Sequence, residues 1–414
     1  MKEQTVPGKL WNKNFFLIFL CNAIVMLGNM TLSFALAYYA RDMTGSETIF
    51  GLALSATYIS FLLMIPIGGI IADRFKKQRI MFWIDLSTTI LISLYMLVNG
   101  LVGSTILVVF VKLLALNAIQ AIYGTATQAA IPLVIPEDKL TSGNALMGMV
   151  SPLVTAGGQA IAAVVYGNWG IYPILILFTI MYAMTAILDL FIYIPHKKQE
   201  SQTSIVQTVK SDMSQAIRFI AKDKSIFVKM MVMMFAVGVS VLSLLLIGIP
   251  ILITSTLHLD LSLVGMSQIF TAIGAFTGGV VASSLGEKLT VKKSLLLLTL
   301  LSLLPIPMGL AIIFNVPAFL AFIILTVAGA LIMFVNTLLM VAFQTFFQLE
   351  TPPEIFGKVI GIVFMLPFLA QAVGQFAFGI LFEEFAHLPW LSIFISVVIS
   401  ALAALYSYSA FKEI

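Results

Sequence analysis

Apolar residues run along this chain in long blocks separated by short polar breaks, and the pattern repeats twelve times. The predicted spans are 15–40, 47–72, 79–99, 103–131, 138–166 and 170–194, then 226–256, 262–285, 291–313, 316–349, 355–382 and 388–411. A bilayer core about 30 Å thick takes roughly 20 apolar residues per helix. Several spans exceed 25 residues, so tilted helices or ends protruding past the lipid are expected. Membrane β-strands would be about ten residues long with strict alternation, and no such alternation occurs. The expectation is an all-α polytopic membrane protein with twelve transmembrane helices.

One long polar stretch interrupts the series, from Pro195 to Ser225. It divides the chain into an N-terminal six-helix half (1–194), a cytoplasmic linker (195–225) and a C-terminal six-helix half (226–414). Within the linker, Val206 to Ile220 is weakly amphipathic. That run reads as a helix on the membrane surface or as a site for a soluble partner. A short internal repeat supports two pseudo-symmetric halves. Gly68-Gly69-Ile70-Ile71-Ala72-Asp73-Arg74 follows the second span and Gly278-Gly279-Val280-Val281-Ala282-Ser283-Ser284 ends the eighth. Paired halves around a central pathway are typical of secondary transporters.

Composition agrees with this pattern. The chain is 60% hydrophobic and 10% charged, against roughly 45–50% and about 25% in soluble domains. The net charge of +4 is no nucleic-acid signal, but its distribution is informative. With both termini in the cytoplasm, 20 of the 22 Lys and Arg residues fall on the cytoplasmic side. Arg41 falls outside and Lys112 falls within a span. This is the positive-inside bias, and one helix more or fewer would destroy it. The expected location is a bacterial-type inner membrane, spanned many times. No cleavable signal peptide is evident, and the first apolar run reads as a retained helix. The single cysteine, Cys21, excludes an intrachain disulfide and a cysteine-based metal site.

The segment Gly69-Ile-Ile-Ala-Asp73-Arg74-Phe-Lys-Lys77-Gln-Arg79 resembles the signature loop between helices two and three of the major facilitator superfamily. Gly69, Asp73, Arg74 and Lys77 match that pattern, and Lys76 stands where the family usually has glycine. Other stretches resemble the macrolide-efflux and siderophore-exporter branch of the drug:proton antiporters. They are Thr44-Gly45-Ser46, Asp85-Leu86, Ile131 to Leu140, and Phe356-Gly357-Lys358-Val359. The helix-four arginine of antiporters falls on Lys112. The helix-five Gly-Pro falls on Gly158-Gln159 or, in another register, on Ser151-Pro152. The resemblance implies the major facilitator fold, alternating access and proton-coupled export. It assigns Gly69, Asp73, Arg74 and Lys77 to gating. Asp73 is expected to cap the N-terminus of helix eleven when the cytoplasmic side is closed, a task distinct from cargo binding.

Charges inside a bilayer are costly and need an account. Three lie within spans: Asp85, Lys112 and Asp189. Lys112 sits about nine residues from the outer end of its span, roughly 13 Å deep. It reads as a substrate or proton residue, or as one bonded to helix carbonyls. Asp85 is either a titrating carboxylate or a partner for the basic loop. Asp189 lies near the basic end of helix six and reads as structural. Asp42, Glu350 and Glu383 near span ends are further proton candidates.

Polar stripes come next. Asn22, Met26, Asn29 and Ser33 share one face of helix one. Asn117, Gln120, Gly124 and Gln128 share one face of helix four, and Asn336, Met340, Gln344 and Phe347 one face of helix ten. Amides facing lipid lack partners, so these faces point inward, toward a substrate cavity or toward other helices. In the resembled fold helices one, four, seven and ten line the cavity. The run Met230-Met231-Val232-Met233-Met234-Phe235 offers flexible apolar contacts. Met234, with Phe343 and Phe347, is a cavity candidate, although lipid-facing packing is the ordinary role for most of that run. Gly274 and Gly278 read as a close helix contact, here a sliding surface between the halves.

No enzyme site emerges, since the three histidines lie far apart at span ends or loops. No phosphate-binding Walker loop appears, which argues against ATP-driven transport by this chain. No cofactor or metal is expected, and the proton is the coupling ion. The partners are the lipid bilayer and a small-molecule substrate, with no nucleic acid, and the chain is expected to act as a monomer. The reading is an exporter of hydrophobic or amphipathic small molecules. Its rivals are a carrier of another cargo (lysophospholipid, siderophore or sugar) and a non-transporting membrane protein.

Overall fold

The computed structural model describes residues 9–195, 213–285, 293–352 and 355–411, apart from 104, 216 and 221–224. The side chain of Asp73 and most of the linker lie outside the described residues. Twelve long helices follow one another among the described residues. The first six are α1 (Lys13–Thr44), α2 (Glu47–Arg74), α3 (Lys77–Val102), α4 (Ile106–Val134), α5 (Leu140–Trp169) and α6 (Ile171–Asp189). The next three are α7 (Ile226–Thr256), α8 (Leu261–Leu285) and α9 (Ser294–Ile313). The last three are α10 (Ala318–Glu350), α11 (Phe356–Glu384) and α12 (Pro389–Phe411). By length and composition, 11 helices among the described residues are apolar enough to cross a membrane. The remaining one, α5, has 30 residues. The protein is a multi-pass membrane protein.

The chain forms two compact units. One contains 1–43 and 60–202, the other 44–59 and 203–414, so α2 begins in the second and ends in the first. The first unit is tied by side-chain hydrogen bonds between helices. The Tyr182 hydroxyl donates to the Val25 carbonyl at 3.0 Å, joining α6 to α1. The Asn99 amide donates to the Tyr172 hydroxyl at 3.0 Å, joining α3 to α6. Ser60 donates to the Leu114 carbonyl at 2.7 Å, joining α2 to α4. The Tyr166 hydroxyl donates to Asp42 at 2.7 Å, joining α5 to α1. Gly158 lets α5 approach α1, since a Cβ there would lie 2.8 Å from Met30 Cβ and 3.2 Å from the Leu27 carbonyl oxygen.

The second unit relies on close backbone approach and aromatic contacts. Its central helix, α7, is wound in wide π turns over Gly238–Leu242, Leu244–Gly248 and Leu252–Thr256. Pro250 lacks an N–H and crowds the carbonyl four residues earlier, which breaks the α register. The Ser243 hydroxyl donates to the Gly238 carbonyl, five residues back, at 2.9 Å. Helix α11 packs closely on this segment, because a Cβ on Gly238 would lie 2.7 Å from Ala370 Cβ. Helix α9 breaks near Leu304-Pro305 for the same proline reason. At the start of α8 the Ser262 N–H donates to Asp260 Oδ1 at 2.7 Å. Hydrogen bonds from Ser262, side chain first and backbone second, hold the Asp260 carboxyl below its usual range.

Two expectations need correction here. Gly274 and Gly278 do bring helices together, but the partner is α10 in the same unit. A Cβ on Gly278 would lie 2.7 Å from the Phe334 carbonyl oxygen, and one on Gly274 would overlap the Ala330 carbonyl. This contact is therefore no sliding surface between halves. The methionine run also faces inward more than expected, with Met230, Met233 and Met234 buried. The wide turns that follow and the partners α11 and α12 cover that face. Met231, Val232 and Phe235 instead line an apolar cavity of about 390 Å³ with Ile217, Ile220 and Ile362. Phe219 meets Phe227 edge-on at 5.9 Å, which fixes the end of the linker helix on α7.

Gly274→Leu is expected to lower the thermal unfolding midpoint of the detergent-purified protein. Overpacking of this kind costs about 1–3 kcal/mol. An unchanged midpoint would show that α8 and α10 do not meet there.

Candidate functional site

At the end bearing the basic cluster, α2 passes into α3 through a tight turn. Arg74 closes α2 and is exposed. Lys76, in the place of the family's glycine, adopts φ −62° and ψ 117°. That is ordinary extended backbone, so the turn needs no glycine. The Lys77 ammonium donates to the Ala72 carbonyl at 3.2 Å, which answers one orphan acceptor of α2. Gly69 has open space beside it, whereas Gly68 is the contact residue: a Cβ there would lie 3.0 Å from Ile122 Cα on α4.

The stripes of α1 and α4 meet. The Asn29 amide donates to Asn117 Oδ1 at 3.1 Å, and the Asn117 amide donates to Ser33 Oγ at 3.1 Å and to the Leu113 carbonyl at 2.9 Å. Asn29 and Asn117 therefore serve as a buried interhelical bridge. Asn22 is buried and its amide reaches the half-buried Met26 sulfur at 3.4 Å. Gln120 is buried and Gln128 is exposed. On α10, Asn336 and Phe347 are buried while Gln344 is exposed. Phe347 packs edge-on to Phe227 at 4.7 Å, in the core of its unit. Met234 is buried on α7.

The intramembrane charges divide into two places. Lys112 is buried, and its ammonium stands 3.8 Å from the centroid of the Tyr95 ring on α3. A cation over an aromatic face gains about 0.5–2 kcal/mol, more when desolvated. Lys112 and Asn117 are five residues apart, a turn of about 140° around the helix. The lysine thus faces α3 while the amide faces α1, and the two do not form one stripe. Asp85 on α3 and Asp189 on α6 are both fully buried. They lie within electrostatic reach of each other, with Cys21 of α1 beside Asp189. Tyr123 of α4 lies within electrostatic reach of both, and its buried hydroxyl makes no hydrogen bond.

At the opposite end, Ser46 caps α2 by accepting from the Ile49 N–H at 3.2 Å. Glu383, near the end of α11, completes the cap. Its Oε2 accepts from the Ser46 hydroxyl at 2.5 Å and from the Thr48 N–H at 2.7 Å. The Ser255 hydroxyl donates to Glu47 Oε1 at 2.7 Å. One turn further in, the helices touch through glycine. A Cβ on Gly51 would lie 2.5 Å from the Gln375 carbonyl oxygen and 3.0 Å from Gly379 Cα.

Residues 18–375 match the family described as the Major Facilitator Superfamily. The chain belongs to that superfamily. It is a transporter and not an enzyme, and transporters of this superfamily bind small-molecule substrates within the membrane. Among named proteins, macrolide efflux protein A of Streptococcus pyogenes is 21% identical over 222 residues, 54% of this chain and 55% of the relative. The chain thus spans about half the length of the curated relative it matches. Among solved structures, a bacterial homologue of the human lysosomal transporter Spinster matches at TM-score 0.70 and 14% identity, over 96% of each chain. A D-xylose–proton symporter matches at TM-score 0.69 and 14% identity, over 96% of this chain and 98% of its own. A peptide transporter in complex with alafosfalin matches at TM-score 0.71 and 13% identity, over 98% and 97%. These likenesses show the major facilitator fold, with its twelve helices.

Sequence reasoning did not connect Asp189 to Asp85, nor Glu383 to Ser46. Asp189 and Asp85 lie on helices far apart in sequence, and no local spacing reveals that they come within electrostatic reach. A weak signal existed for the cap, because Thr44-Gly45-Ser46 is a helix-start pattern short of a carboxylate three residues on. Glu383→Gln is expected to loosen the first turns of α2. A carboxylate at a helix N-terminus contributes about 0.3–1 kcal/mol exposed and up to ~2 partly buried. In a chain with Cys21 replaced by serine, a cysteine at the buried position Ser55 should then be alkylated several-fold faster. Equal alkylation rates with and without the substitution would contradict the cap's role.

Proposed function

We propose that this chain exports hydrophobic or amphipathic small molecules, macrolides among them, by proton antiport and alternating access. The observation that carries this reading is the match to macrolide efflux protein A within a chain of this superfamily. The exposed amides Gln128 and Gln344 are candidates for the polar groups of the cargo. In this reading both termini are cytoplasmic, cargo binds near the midplane, and the six-helix halves rock about it. Asp85 and Lys112 are the charge candidates, and no cofactor other than the proton is needed. The structural neighbours carry varied cargo by their own descriptions, a sugar and a peptide among them, so a carrier of another solute is the second reading.

A radiolabelled macrolide should accumulate in inside-out vesicles when a pH gradient is imposed. Full accumulation with the pH gradient and membrane potential both collapsed would refute proton coupling, and no accumulation of any macrolide would favour the other cargo.

Asp73 belongs to conformational control in this reading. It ends α2 beside the basic loop and would cap the N-terminus of α11 in the closed state. Glu383 makes the converse contact, from the end of α11 to the start of α2. Loss of about 1.4 kcal/mol shifts a two-state ratio tenfold. Asp73→Asn keeps every nearby Lys and Arg, so insertion and cargo binding should stay near normal while transport falls about tenfold. Undiminished transport, or binding lost as completely as transport, would remove Asp73 from this role.

A further inference from the structure

We propose that the apolar cavity between the linker helix, α7 and α11 is a site for an anionic phospholipid, which lays one acyl chain in the cavity and its phosphate against Arg218 and Lys229. The inference needs neither the proton nor the export reading, only that the chain crosses a membrane. The cavity holds about 390 Å³, within the range of about 300–1,000 Å³ usual for small-molecule sites. Ile217 and Ile220 come to it from the linker helix, Val228, Met231 and Val232 from α7, and Leu366 from α11. Such sites ordinarily contain a few polar groups that orient the ligand. Here every lining side chain is apolar. The part of an occupant that enters is therefore hydrocarbon, and any polar part stays at the rim.

Aromatic packing holds the walls of this cavity in place. Phe219, between the two lining isoleucines, meets Phe227 of α7 edge-on at 5.9 Å, and Phe227 meets Phe347 of α10 edge-on at 4.7 Å. The three rings seat the linker helix on the membrane-spanning helices. On α7, Val228, Met231, Val232 and Phe235 share one helical face and all line the cavity. The stripe runs seven residues from the linker end inward, roughly 10 Å along the axis. That is the direction an acyl chain takes from the headgroup level. Ile217, Val228 and Val232 are exposed, so the cavity is reached from outside the protein.

The charge beside the cavity is positive. Arg218 follows Ile217 and is exposed, and Lys229 follows Val228 and is half-buried. Successive helical residues are about 100° apart, so each cation flanks the apolar face without entering it. Between Met213 and Met230 the sequence carries four basic residues, Arg218, Lys222, Lys224 and Lys229, against one acidic residue, Asp223. A basic cluster of this size beside a membrane span attracts anionic lipid headgroups. Hydrocarbon within and cations at the rim match an anionic amphiphile. The bilayer supplies one at that level, a phospholipid with its phosphate at the interface. A neutral molecule would gain nothing from that rim.

Photo-crosslinking of the full chain in phosphatidylcholine nanodiscs tests the site. Phosphatidylglycerol and phosphatidylcholine carrying the same diazirine-bearing acyl chain are added separately at a low fraction, and labelled peptides are mapped by mass spectrometry. The phosphatidylglycerol probe should label 228–235 about tenfold more than the phosphatidylcholine probe, and Arg218→Gln should cut that preference about fivefold. Val232→Trp, which fills the cavity, should lower labelling of this stretch by both probes and leave labelling at the exposed Leu402 of α12 unchanged. The two probes on the wild type decide the matter alone if a variant does not fold. Equal labelling of 228–235 by both probes, or a preference that Arg218→Gln leaves intact, would overturn the proposal. Labelling that excess macrolide removes from the wild type would assign the cavity to cargo and overturn it as well.

Discussion

Hydrocarbon offers no hydrogen bonds, and every backbone N–H and C=O that enters it must find a partner within the protein. Helices meet that demand locally, so irregular backbone survives only where other helices surround it. Two marked departures from α geometry among the described residues obey this rule. The π turns of α7 lie along its buried face, against α11, where Ser243 returns a hydrogen bond to Gly238. The break in α9 at Pro305 is closed by the N–H groups of Met308 and Gly309, which both donate to the Pro305 carbonyl.

The same lack of water makes polar side chains expensive, and the two units answer differently. In the first, amides, hydroxyls and carboxylates bond across helices, as in the Asn29–Asn117–Ser33 bridge. Bridges of this kind average about 0.6 kcal/mol, so several are needed, and they fix register more than they add stability. In the second, such bonds gather at the start of α2, and elsewhere small residues let the helices meet. Gly274, Gly278 and Gly238 admit neighbouring backbones or β-carbons, and phenylalanines such as Phe227 and Phe347 fill the space between helices. The intramembrane charges Asp85, Lys112 and Asp189 all lie in the first unit.

Helix ends do a third kind of work. The first N–H groups of α2 are orphans by construction, and Ser46 and Glu383 satisfy them with one local and one distant oxygen. A distant cap holds two helices together through a few hydrogen bonds that can be made and broken as a unit. It differs from the glycine contact at Gly51 and Gly379, which depends on shape alone. Together they give the α2–α11 pair one contact that charge controls and one that packing controls.

The number of spans, their order and the superfamily were all legible in the sequence. Each is set by transfer of residues between water and lipid or by a local pattern of a few positions. The polar stripes were legible as faces, but not as partners. The tertiary structure decided that Asn117 bonds to Asn29 while Lys112, about 140° away around the helix, sits on Tyr95 instead. It decided that Gly274 meets α10 in its own unit, and that Asp189, read as a structural residue near the end of helix six, is fully buried. Helical periodicity fixes which side chains leave on one face. Which helix stands opposite that face depends on how twelve cylinders pack, and residues remote in the chain meet only through that packing.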